Sequence, residues 1–154
     1  MGRRILMAVV LMASVTASVT VSVSAHASEQ ILPGLRPSEA QRLKIWGFEI
    51  YDARLWTKAA FSVQQFTSQS FGLEITYLRK VEGKDIAKSS IDEMKRIGQI
   101  SPEQQKAWLK AMSDTFPSVG NGDKLLGVYK PNEGAEFWIN QKPLGVISDP
   151  QFAK

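Results

Sequence analysis

The sequence predicts an α+β domain in which helices pack on one face of a mainly antiparallel sheet. Three observations carry this. Residues 71–78 alternate apolar and polar side chains with period two. Two segments between Gly83 and Pro117 then repeat apolar residues at intervals of three and four, and beyond Gly122 the pattern returns to short strands parted by turn residues. Strands, then helices, then strands is the order of an α+β arrangement rather than of alternating βα units.

Taken in order, residues 28–38 are interrupted by Pro33, Gly34 and Pro37 and read as a flexible lead-in, so that folding starts near Gln41. Residues 42–56 are rich in aliphatic and aromatic side chains around Gly47, which fits two short strands or one bent strand. In the next strand Phe71, Leu73, Ile75 and Tyr77 form the buried face. Ala87, Ser90, Ile91, Met94 and Ile97 mark an amphipathic helix with Asp85 placed to cap it and Gly98 to stop it. Asp92 and Arg96 lie one turn apart on its solvated face. Ser101, Pro102 and Gln104 supply a capping box for a second helix, which Pro117 ends. Its apolar positions include Trp108, Ala111 and Met112. Residues 125–129, 135–139 and 144–147 read as antiparallel hairpins joined at Pro131-Asn132-Glu133-Gly134 and Asn140-Gln141-Lys142-Pro143.

Residues 1–27 have the three parts of a secretion signal: Arg3 and Arg4, an apolar core from Ile5 to Ala13, and small residues in Ala25-His26-Ala27 before Ser28. A membrane anchor or a strand over the same stretch is the alternative; the cleavage site and the Ser/Thr-rich second half favour removal and a periplasmic protein with no membrane span. Cleavage would change the balance of basic to acidic residues from 19 against 15 to 17 against 15, nearly neutral, which offers nucleic acid no clustered basic face. His26 is the sole histidine and cysteine is absent. The mature chain therefore cannot form a Ser-His-Asp or Cys-His pair, a zinc site of the usual ligands or a disulfide, and neither a metal nor a cofactor is expected. Function is left to Arg, Tyr, carboxylates, hydroxyls and shape.

Several segments together resemble the chalcone isomerase-like family as found in secreted bacterial proteins: Gly47-Phe48-Glu49-Ile50-Tyr51-Asp52-Ala53-Arg54-Leu55-Trp56, Leu73 to Tyr77, Gly83-Lys84-Asp85-Ile86, Ile91-Asp92-Glu93-Met94, Phe116-Pro117, Gly122-Asp123-Lys124-Leu125, and Leu144-Gly145 with Asp149-Pro150. The resemblance covers most of residues 41–154 and implies an open-faced sandwich with a cleft for a flat or elongated apolar ligand between sheet and helices. In the family's enzymes a phenolate closes a ring on an enone, chemistry that an arginine and oriented hydrogen bonds can serve without histidine. The family's arginine matches Arg42 best, with Arg36 a poorer candidate, and its strand hydroxyl falls at Tyr51. Its helix tyrosine and asparagine fall at Ile86 and Glu93, which cannot do the same work. The family continues through further helices beyond Phe152, so the resemblance implies that the final helices are missing and favours a fragment.

Arg42 with Tyr51 is thus the candidate ligand-binding constellation. An arginine and a phenol can share one carboxylate, as associated with the fatty-acid-binding members of the family. The bland alternative has Arg42 on the surface and Tyr51 in the core. Asp52 and Arg54 point to one face as a possible tuning pair or a solvated edge feature. Trp46, Trp56, Trp108 and Trp138 are expected in the core. The preferred reading is a periplasmic, non-catalytic binder of a small amphipathic fatty or aromatic carboxylate. The alternatives are an intramolecular lyase or isomerase, and a structural or interaction module without ligand.

Overall fold

A computed structural model describes residues 28–152; the expected signal, residues 1–27, and the last two residues lie outside them. In chain order the elements are β1 (Arg36–Pro37), β2 (Gln41–Ile45), β3 (Phe48–Thr57), a 3-10 segment (Val63–Ser68), β4 (Phe71–Tyr77), α1 (Gly83–Ile97), α2 (Pro102–Thr115), β5 (Lys124–Lys130), β6 (Gly134–Ile139) and β7 (Lys142–Ile147). The strands form one seven-stranded antiparallel sheet in the order β1-β3-β4-β5-β6-β7, with β2 also paired to β3. The expected α+β class is the observed one.

Local chemistry explains most boundaries. Trp46 and Gly47, with φ of 49° and 83°, make a two-residue turn, so residues 42–56 become two strands and not one bent strand. The box at α2 is complete: Gln104 N donates to Ser101 Oγ at 3.1 Å and Ser101 N donates to Gln104 Oε1 at 2.9 Å. For α1 the expected cap is corrected. The helix starts at Gly83, ahead of Asp85, and Glu82 at its N-cap makes no side-chain capping bond. Gly83 is required there because a Cβ would stand 2.2 Å from the Phe116 carbonyl oxygen.

Both helices cover one face of the sheet. Tyr77, Leu125, Phe137 and Ile147 from the strands pack with Ile86, Ala87 and Ile91 of α1 and with Trp108 and Met112 of α2. The opposite face corrects the reading of residues 28–38 as a loose lead-in. They form a helical turn over residues 28–31 and the short β1, and Leu32 and Leu35 are buried against Trp56, Leu126 and Val128. Covering those side chains removes apolar surface from water, worth about 1.5–3 kcal/mol for each leucine. Gly72 makes room: a Cβ on it would stand 2.9 Å from Leu32 Cδ1. The prolines and Gly34 break the segment without freeing it.

The tryptophans divide. Trp56 and Trp108 are buried and Trp138 is half-buried, whereas Trp46 is 95% exposed. Its place on the β2–β3 turn puts it beyond the last strand pair, so the expectation of four core tryptophans holds for two of them outright.

Candidate functional site

Period-two alternation aims Phe71, Leu73 and Ile75 of β4 and Leu125, Gly127 and Tyr129 of β5 at the helices. On α1, Ile86, Ser90 and Met94 recur every fourth residue on the facing side. Met112 and Phe116 from α2, with Phe137 and Phe152, complete the wall. These side chains leave a cavity of about 290 Å³ between sheet and helices, and its lining includes no charged side chain. The glycine at 127 widens it, since a Cβ there would stand 3.2 Å from the Phe137 ring. Leu73 is 43% exposed, so the cavity opens to solvent beside β4 and is a cleft.

Aromatic groups form one end of the cleft. There Phe71 meets Tyr129 with ring centroids 5.1 Å apart, and the Tyr129 hydroxyl donates to the Thr67 carbonyl at 3.0 Å, pinning the 3-10 segment. Two pairs beyond Ala53 and Ile75 along β3 and β4, on the same sheet face but outside the cleft's lining, Tyr51 and Tyr77 pack edge to face at 6.0 Å. Burial, with the neighbouring Tyr51, pushes the Tyr77 hydroxyl up to about 12. Burial and the nearby Glu93 carboxylate raise Tyr51 as well. Both phenols therefore stay protonated at neutral pH. Within the cleft, the Ser90 hydroxyl donates to the Ile86 carbonyl at 2.8 Å.

The structure does not bring Arg42 and Tyr51 together. Arg42 pairs in register with Asp52 and Leu43 with Tyr51, and successive strand side chains point to opposite faces, so Tyr51 faces the helices and Arg42 faces away from them. Arg42 is exposed and its guanidinium is already engaged. It donates from Nε and Nη2 to both Asp52 oxygens, at 2.7 and 2.8 Å, and from Nη1 to Glu49 at 2.9 Å. Its hydrogen bonds hold Asp52 below the usual carboxylate range, and Lys44, then Arg42, do the same for Glu49. Arg36 lies exposed in the two-residue β1. One carboxylate shared by Arg42 and Tyr51 is geometrically closed off.

The remaining assignments also change. Asp52 turns to Arg42, while Arg54 stands exposed opposite Glu74 on β4. Arg96 pairs with Glu93 at 2.7 Å, not with Asp92. Ile86, at the position of the family's tyrosine, presents a hydrocarbon wall to the cleft. Sequence reasoning did not single out Ser90, Met94, Met112 and Gly127 as cleft residues. Their periodicities were visible, but which helix position faces which strand position is decided only by packing.

An antiparallel sheet with both helices on one face and an apolar cleft between them is the open-faced α+β sandwich that the resemblance implied. Among solved structures, the chain is similar in fold to a fatty-acid-binding protein of Arabidopsis thaliana. The two share 11% identity with a TM-score of 0.50, over 76% of this chain and 71% of that one. No family model and no curated protein matches the sequence.

Proposed function

We propose that this chain is an exported, non-catalytic binder of a small amphipathic molecule, a fatty or aromatic carboxylate, held in the cleft between sheet and helices. The observation that carries the reading is the open, uncharged and mainly apolar cleft. Its volume of about 290 Å³ falls near the lower end of small-molecule sites, and a cavity of about 150 Å³ already holds a benzene. That space argues against a module whose cleft is filled by its own side chains. The fatty-acid-binding name of the structural neighbour supports the ligand class. Just outside the lining, the half-buried phenol of Tyr51 on the same sheet face would be the donor for the polar end of the ligand, with Arg96 offsetting the charge of Glu93 near it. An isomerase would want a cation on the wall to hold a phenolate, and the cleft's lining carries none among the described residues.

Calorimetric titration with fatty acids of increasing chain length tests the reading. Affinity should rise with each methylene until the cleft is full and then level off. Absence of heat across the whole series and across aromatic acids would refute it. Export rests on residues 1–27, and fractionation of cells expressing the full chain should place it in the periplasm.

A further inference from the structure

The buried residues include one charged side chain, Glu74, which is 4% exposed on the sheet face away from the helices. A buried carboxylate needs a partner. Glu74 makes no ion pair among the described residues: Arg54, its neighbour across the β3–β4 pair, is exposed, and Lys124 of β5 lines the same small cavity of about 180 Å³ without bridging to it. Its hydrogen-bond partner is the buried Ser28, whose hydroxyl donates to Oε2. Leu32 and Leu35 hold this segment in place, and Glu29 beside Ser28 points to solvent.

Ser28 is also the residue that follows Ala25-His26-Ala27. While the preceding segment is attached, the Ser28 nitrogen is a neutral amide. Hydrolysis by a signal peptidase adds water across the Ala27–Ser28 bond, leaves a carboxylate on Ala27 and frees an amine on Ser28 that takes up a proton. Covalent geometry keeps that nitrogen roughly 3 Å from its own Oγ. The new cation therefore falls within about 6 Å of the Glu74 carboxylate, where opposite charges favour each other.

We propose that removal of the signal creates an ion pair between the Ser28 α-ammonium and buried Glu74, which fastens the N-terminal segment across the second face of the sheet. Maturation by proteolysis would then complete the fold as well as release the protein. The proposal rests on the export reading and is independent of the cleft.

N-terminal sequencing of the exported protein comes first, and Ser28 is the expected first residue. Four purified chains then complete the test: one starting at Ser28 and one retaining residues 25–27, each with Glu74 or Glu74→Gln. Retaining the three residues should lower Tm by about 4 °C or more with Glu74 present and by less than about 1 °C in E74Q. In the chain starting at Ser28 the α-amine should titrate above its ordinary range of about 7.7–8.0, read from its pH-dependent acylation rate, and return to that range in E74Q. A different first residue, equal Tm losses in both backgrounds, or an amine of ordinary pKa would each overturn the pair. Fatty-acid titration of the same four chains reports the cleft separately.

Discussion

Replacing Ser90 with phenylalanine places a ring in the middle of the cleft. Ser90 sits on α1 between Ile86 and Met94, and its hydroxyl bonds only the Ile86 carbonyl of its own helix. Losing such a back-bond costs a helix little. The ring enters open space, so stability should hold or rise. A benzene-sized group occupies about half of the 290 Å³. If it denies the ligand about 100 Å² of apolar contact, the loss at about 25 cal/mol/Å² is about 2.5 kcal/mol, roughly a 60-fold weaker Kd. Competition between fatty acids and a fluorescent apolar probe measures that ratio, and a thermal melt confirms that the variant is folded. A folded S90F protein whose Kd stays within about threefold of the parent would show that ligands do not use this cleft.

Other outcomes follow from the same geometry. Met112→Ala removes a side chain that is 1% exposed between α2 and the cleft, and urea unfolding should show a loss of about 2–5 kcal/mol. Arg42→Ala should leave fatty-acid affinity unchanged by calorimetry, because the guanidinium faces away from the cleft and is occupied by Asp52 and Glu49. Tyr77 has a folded pKa raised to about 12 from 10.0. Its stabilising contribution is thus complete below pH 10 and is lost as pH rises towards 12, by at most about 2.7 kcal/mol. Chemical denaturation across that window should show the loss, and Tyr77→Phe should shrink it.

Much of the fold was legible in the residues. Alternation at 71–78 located β4, and the Ser101-Pro102-Gln104 signature located the start of α2, because both signals are local and self-sufficient. The start of α1 was misplaced because Gly83 answers to the Phe116 carbonyl, which is 33 positions away. Residues 28–38 looked unstructured because prolines and glycine mark breaks in regular structure, whereas Leu32 and Leu35 gain their stability from a sheet face that the segment itself does not reveal. Similarly, the site was half readable. Tyr51 lies on the helix side of the sheet, where the resemblance put a strand hydroxyl, but pairing Arg42 with it required both to share a face, and the β2–β3 register assigns them to opposite ones. The cleft was implied by the resemblance alone, since its emptiness depends on how helix and strand side chains interdigitate.

The most direct test is mass spectrometry of the small molecules released when the purified protein is denatured, with S90F processed in parallel. A single class of amphipathic acid, near one equivalent per chain from the parent and strongly reduced from S90F, is the expected result. Equal release from both chains, or none from the parent together with no binding of added fatty acids, would contradict a ligand site between sheet and helices.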